Sequence, residues 1–209
     1  MRVEFYDTTL RDGSQSEDIS FSLNDKLRIT ERLDEFGIHY IEGGWPGSNP
    51  KDLRYFKEVK RLRLKTSQIT AFSSTVKFQS QPDKDEIMKA ILDSDTEWVT
   101  IVGKSWDLHV RDALKVSLDA NLQMIERTIA YLKKRGKRVF FDAEHFFDGY
   151  RRNREYAMKV LGVANNAGAE ALVLCDTNGG SMPYEIYDTV MDVKKALKTK
   201  LGIHTHNDT

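Results

Sequence analysis

Short β-branched or aromatic runs alternate with longer amphipathic stretches from one end of the chain to the other. The runs are Arg2–Tyr6, His39–Ile41, Gln68–Phe72, Glu97–Val102, Arg138–Phe141, Ala171–Leu174 and Leu201–His204, and each reads as a strand. Their starts recur about every 30 residues, the size of one βα unit with its connections. Between them, Ser22 with Asp25 three residues on opens a helix carrying Leu23, Leu27, Leu33 and Phe36 on one stripe, closed by Gly37. Pro50 suits the first turn of a helix bearing Leu53, Phe56 and Val59, and Ser117 caps one bearing Leu122, Ile125, Ile129 and Leu132, ended by Gly136. Helices over 84–93, 153–166 and 183–198 complete the series. Strict alternation of this kind demands a parallel sheet covered by helices, either an open doubly wound sheet or a closed (β/α)8 TIM barrel. Seven strands are one short of the barrel. No linker or low-complexity tract divides the chain, so residues 1–209 read as one α/β domain, truncated before strand eight.

Composition narrows the partners. Lys+Arg 32 balance Asp+Glu 32, so the basic footprint of a nucleic-acid binder is missing. With 40% hydrophobic and 31% charged residues the chain can bury a core, and no apolar run reaches the roughly 18 to 20 residues of a membrane span. The amino-terminal residues lack the basic flank and apolar stretch of a signal peptide, and the lone Cys175 cannot staple its own chain, so a cytoplasmic setting is expected.

In parallel α/β folds the site lies at the carboxyl ends of the strands, and this chain places polar chemistry at all seven. They are Asp7 to Gly13, Glu42-Gly43-Gly44, Ser73-Ser74-Thr75, Gly103-Lys104-Ser105, Asp142-Ala143-Glu144-His145, Asp176-Thr177-Asn178-Gly179 and His204-Thr205-His206. Residues two apart on a strand share a face, so His204 and His206, together with Asp12, can form a facial site for a divalent metal ion. Two histidines that merely cap a strand are the competing reading. Arg11 can hold a developing enolate or alkoxide oxygen without losing its charge, or can serve as one half of a structural pair with Asp12. Glu144 is the general acid/base candidate, with Asp142 and His145 competing for that work. The hydroxyls of Ser73 and Thr177 suit a substrate carboxylate or carbonyl, although loop hydroxyls are commonly structural. Gly43 to Gly47 lacks the Lys-Ser/Thr of a phosphate-binding loop. Lys133 to Arg135 and Arg151-Arg152 read as solvated helix ends, of which at most one holds the phosphates of a nucleotide-like cofactor.

At Asp7-Thr8-Thr9-Leu10-Arg11-Asp12-Gly13-Ser14-Gln15 the sequence resembles the family of 2-isopropylmalate, homocitrate and citramalate synthases, which also includes hydroxymethylglutaryl-CoA lyase and pyruvate carboxylase domains. The likeness recurs at Tyr40 to Pro46, Leu174 to Gly180 and Gly202 to Asp208, and Gly103 to Asp107 looks most like the citramalate branch. The resemblance implies a TIM-barrel acyltransferase that condenses acetyl-CoA with a 2-oxo acid, here pyruvate, to give (R)-citramalate and CoA in branched-chain amino-acid biosynthesis. It implies Asp12, His204 and His206 as ligands of a divalent ion (Mg, Mn or Zn), Arg11 and Glu144 as catalytic, and Arg11, Gln15 and Thr177 around the substrate, where the strand-end reading adds Ser73 and Asp142. It further implies a homodimer in the full-length enzyme, with neither nucleic acid nor membrane as partner, and an asparagine metal ligand on a strand beyond Thr209. The alternatives are a related synthase or carbon-carbon lyase on the same metal site, and a fragment without turnover.

Overall fold

The structure, a computed structural model, describes residues 3–48 and 50–206. Its elements alternate as β1 (Tyr6–Asp7), α1 (Leu23–Phe36), β2 (Tyr40–Gly44), α2 (Pro50–Glu58), β3 (Gln68–Ser74), α3 (Glu86–Ser94), β4 (Trp98–Lys104), α4 (Asp107–His109), α5 (Leu118–Lys134), β5 (Arg138–Glu144), α6 (Phe146–Arg152), α7 (Arg154–Asn166), β6 (Ala171–Asp176), α8 (Pro183–Ala196) and β7 (Lys200–Thr205). The strands follow one another in sequence order. The chain forms two compact units, Met1–Ser73 with Lys84–Thr100, and Ser74–Asp83 with Ile101–Thr209.

In the first unit β1, β2 and β3 pair in parallel, with a bulge at Glu42/Gly44. The expected caps form. Ser22 and Asp25 make a reciprocal capping box, and Gly37 takes the left-handed conformation at φ 91° that ends α1. The leucine stripe of α1 is nevertheless not its buried face. Lys26, Thr30 and Asp34 are buried, whereas Phe36 is 83% exposed. Each inward polar group has a partner that justifies its desolvation. Lys26 Nζ donates to Asp52 Oδ1 at 2.5 Å and to the Gly43 carbonyl at 3.0 Å. The Thr30 hydroxyl meets the Tyr55 hydroxyl at 2.7 Å, and the Asp34 carboxylate accepts the backbone N–H groups of Lys65, Thr66 and Ser67 at 2.9, 2.8 and 2.7 Å. Burial works against the charge on Asp34, yet those N–H donors hold its carboxyl below the ordinary carboxylate value.

In the second unit β5, β6 and β7 pair in parallel, and a core that includes Ile125, Ile129, Phe141 and Leu172 is fully buried. Strands β5 and β6 are covered on both faces, which is why they read as near-continuous apolar runs, whereas Ile203 of β7 is 57% exposed. Gly103 shows how close the packing is, since a Cβ there would lie 2.7 Å from the Phe141 ring. Ser117 and Asn153 cap α5 and α7 through their side chains, as the turn chemistry predicts.

The strand boundaries depart from expectation in one direction. Strands β2 to β7 all run past their expected ends, to Gly44, Ser74, Lys104, Glu144, Asp176 and Thr205. Parallel pairing of the backbone overrides the low strand propensity of Gly, Asp and Glu, so the polar termini belong to the sheet rather than to loops. Strand β1 also ends one residue late, at Asp7, but it is short, with only Tyr6 and Asp7 paired. Val3 and Phe5 before it are exposed at 61% and 60%, and Arg2 lies outside the described residues. Helices α4 and α6, and the Val110–Leu114 π-turn that continues α4, were not anticipated. Segments this short carry too few turns for a helical period to register.

Candidate active site

The first unit holds Arg11 in a fixed position. After β1 the backbone N–H groups of Arg11, Asp12 and Gly13 converge on the Thr8 carbonyl at 3.1, 2.8 and 3.1 Å, and the Asp7 carboxylate accepts the Thr9 N–H at 3.0 Å. This tight turn projects Arg11 against the end of β2. Its Nε donates to Glu42 Oε2 at 2.5 Å, one terminal nitrogen donates to Asp12 Oδ1 at 2.9 Å, and the guanidinium lies 3.9 Å from the centre of the Phe72 ring. Glu42 is fully buried. Its other oxygen accepts the Tyr6 hydroxyl at 2.8 Å, and that hydroxyl also meets Thr100 at 2.6 Å and Thr70 at 3.1 Å. A buried carboxylate with a guanidinium and a phenol on it is well compensated, so the orientation of Arg11 is set by the fold. Beside this group, Ser73 Oγ and Trp45 Nε1 are buried with no hydrogen-bond partner among the described residues. The Trp45 indole stands edge-on to Phe72 at 5.5 Å. Gln15, at the end of a Gly13–Gln15 turn, is exposed.

The second unit gathers the remaining expected residues at the ends of β5, β6 and β7. Pairing of Cys175 with His204 across β6 and β7 brings Asp142, Cys175 and His204 together, with one donor atom of each within 4.8 Å of the others. The His204 and His206 rings stack with centroids 4.9 Å apart and 17° between planes, as two residues on one face of a strand must, and the His206 N–H reaches the Asp176 carbonyl at 3.3 Å. Glu144 ends β5 and forms an ion pair with Lys104 at the end of β4. Both side chains are about one quarter exposed, at 27% and 26%. The Thr177 hydroxyl oxygen accepts the His145 N–H at 2.9 Å, so its own proton remains available to an acceptor. His145 itself sits in the left-handed region at φ 55°, a strained choice for a residue with a Cβ. Its ring stands 4.4 Å from that of His109. Burial first, then the electrostatic influence of His145 and of Lys104, pushes the His109 imidazole below its usual value.

Several of these residues are not evident in the sequence alone. Glu42 carried the clearest signal, a lone acid ending an apolar run before two glycines. Tyr6, Phe72, Thr70 and Thr100 carried none, because strand residues of these types are ordinary. Lys104 and His109 resemble surface residues until β4 and β5 are placed side by side in sequence order.

The matched family model is HMGL-like and covers residues 2–209. The chain belongs to the HMGL-like family. It is 53% identical over 206 residues to a protein of Geobacter sulfurreducens named (R)-citramalate synthase, covering 99% of this chain and 39% of that protein. A protein of Aquifex aeolicus with the same name is 54% identical over 208 residues, with the same two coverages. The chain thus spans about 39% of the length of these relatives. Among solved structures, the HMG-CoA lyase of Bacillus subtilis superposes with a TM-score of 0.81 at 16% identity, over 99% of this chain and 69% of that one. That likeness concerns the fold, an HMGL-like (β/α)8 barrel of which the described residues supply seven strands.

Proposed function

We propose that this chain is the part of an acyltransferase that holds metal and 2-oxo acid, and that the enzyme condenses acetyl-CoA with pyruvate to (R)-citramalate and CoA. The observation that carries this reading is the identity of 53% and 54%, spread over 99% of the chain, to relatives named for that product. Asp12, His204 and His206 hold a divalent ion. The donor set suits it, since two stacked imidazoles on one strand face and a carboxylate are borderline ligands for Mg, Mn or Zn. When bound, such an ion supplies Lewis-acid polarisation of the substrate's keto group.

The chain's own groups do the rest. The free proton of the Thr177 hydroxyl and the unpartnered Ser73 hydroxyl donate to the carboxylate of the 2-oxo acid, with Asp142 and Gln15 completing the pocket. Glu144 removes a methyl proton from acetyl-CoA, and the resulting carbon attacks the keto carbon. Arg11 is already oriented by Glu42 and Phe72, so it donates to the developing alkoxide without reorganising, which is where preorganised charge acts most strongly. Water then hydrolyses the thioester, releasing CoA and making the sequence effectively irreversible.

A panel of 2-oxo acids, with released CoA read as free thiol in the full-length protein carrying this chain, tests the reading. The expected result is turnover with pyruvate at least about tenfold above that with branched 2-oxo acids, a margin typical of one or two methylenes in a pocket. A preference for a branched 2-oxo acid, or thiol release that ignores the 2-oxo acid, contradicts it.

A further inference from the structure

Strands β4 and β5 are neighbours in the sheet and end on Lys104 and Glu144, whose side chains form an ion pair. We propose that Lys104 is a positioning residue for Glu144: its ammonium holds the carboxylate where it takes the methyl proton of acetyl-CoA. The inference rests on the reaction proposed above and gives its base a partner 40 residues away in the chain. Among the described residues no other side chain holds the Glu144 carboxylate by ion pair or hydrogen bond, and Lys104 has no second acidic partner. A base must lie within hydrogen-bond reach of the proton it abstracts, and a misplacement of about 1 Å can cost about a hundredfold in rate. A carboxylate at the tip of a flexible side chain, about one quarter exposed, does not keep such a position unaided.

The backbone around both residues is tied down, so the two side chains are the adjustable part. The Ser105 hydroxyl and N–H both donate to the Glu144 carbonyl, at 2.7 and 3.3 Å, and Ser105 is fully buried. On the other side, His145 donates its N–H to the Thr177 hydroxyl at 2.9 Å. Lys104 is anchored in the same way, its carbonyl accepting Asn121 Nδ2 at 2.8 Å. Gly149 closes the arrangement from α6, since a Cβ there would lie 2.6 Å from the Ser105 carbonyl oxygen and 2.9 Å from Trp106 Cα. Strand ends fixed this closely give Lys104 and Glu144 one constant span to bridge.

An ammonium suits this task. It is a compact charge with three donors, so it grips Oε2 and leaves Oε1 to accept the proton. The C–H proton passes to Glu144, the C–H electron pair stays on the acetyl group as the enolate, and Lys104 keeps its own proton throughout. His109 lies within electrostatic reach of Glu144 as well. Burial first, then His145 and Lys104, hold that imidazole below its usual value, so it is mostly neutral near pH 7 and Lys104 is the cation beside the base. An ion pair this open adds little to folding stability. Its removal is therefore expected to alter the reaction and leave the fold in place.

Steady-state kinetics of the full-length protein carrying this chain test the proposal, with acetyl-CoA deuterated at its methyl group as the probe. The variants are Lys104→Met and Lys104→Gln, which are neutral, Lys104→Arg, which keeps the charge, and Glu144→Gln, with far-UV circular dichroism as the folding control. The neutral variants are expected to lower kcat at least about tenfold, part of the roughly hundredfold or more that a placed base supplies. KM for pyruvate is expected to change less than about twofold, and the deuterium isotope effect to increase, because proton abstraction is the step that slows. Lys104→Arg is expected to recover part of kcat, since it restores a cation at the end of β4. An unchanged kcat in a folded neutral variant overturns the proposal. So does a fall in kcat with an unchanged or smaller isotope effect, which places Lys104 in another step, and so does a rise in KM alone, which makes it a substrate ligand. Glu144→Gln separates this inference from the reading beneath it. Full activity there removes Glu144 as the base of the proposed reaction, whereas its inactivity beside unaffected neutral Lys104 variants removes the positioning role alone.

Discussion

The strand ends of the two units use their charges in opposite ways. In the first, charges are turned on one another and away from water: Arg11 on Glu42 and Asp12, Lys26 on Asp52 and the Gly43 carbonyl. In the second, the Thr177 proton and the Arg152 fork meet no acceptor among the described residues, and the Lys104–Glu144 pair is about one quarter exposed. A charge spent on its neighbours cannot bind substrate strongly, but it can hold another group still. The first unit is thus a mould that fixes Arg11, and the second keeps donors unspent.

The sharpest way to break the mould is to remove one half of its most buried pair. Lys26→Met leaves the Asp52 carboxylate, which also accepts the Trp45 N–H at 2.9 Å, buried without its ammonium partner. It is expected to cost about 3 to 5 kcal/mol in chemical denaturation. A loss below about 1 kcal/mol would show that this pair is solvated and the comparison drawn too strongly. Next in size is Asp34→Asn, which replaces an acceptor-only carboxylate facing three N–H donors and is expected to cost about 2 kcal/mol. The same residue has a pH signature. Its folded pKa is depressed, so its stabilisation is fully present above the unfolded value of about 3.9 and is lost as pH falls through the lower folded value. Acid unfolding of Asp34→Asn should lack that component.

Activity separates the units in a different way. Glu42→Gln should lower kcat of the full-length protein about a hundredfold, the scale of losing one preorganised oxyanion donor, with little change in KM for the 2-oxo acid. An equal rise in KM would mean that Arg11 binds substrate rather than the developing alkoxide. The smallest effect concerns the open side. His109 should titrate below the usual imidazole value of about 6.5 by NMR, and Lys104→Met should raise its midpoint, because a cationic neighbour is removed. No upward movement would show that Lys104 does not contribute to the shift.

The sequence reveals the repeat, the caps and the chemistry-bearing strand ends for one reason: each is local. Ser22 with Asp25, Gly37, Ser117 and Asn153 do what their types do near helix ends. What it concealed was non-local. The inward face of α1 is polar because Lys26, Thr30 and Asp34 meet Asp52, Tyr55 and residues 65–67, partners more than 20 positions away that periodicity cannot weigh. Likewise Arg11 and Asp12 were legible as neighbours, but Glu42, which orients Arg11, lies 31 residues on. The strand ends were read short because Glu144, Asp176 and Thr205 look like loop residues until a parallel neighbour pairs with them.

The proposed reaction depends most on a metal held by Asp12, His204 and His206. Titration of Mn²⁺ into the chain, with the free ion followed by electron paramagnetic resonance, tests that directly beside Asp12→Asn, His204→Asn and His206→Asn. About one tightly bound ion per chain is expected, with at least about tenfold weaker binding in each variant. Binding as tight in all three variants as in the unaltered chain would contradict it.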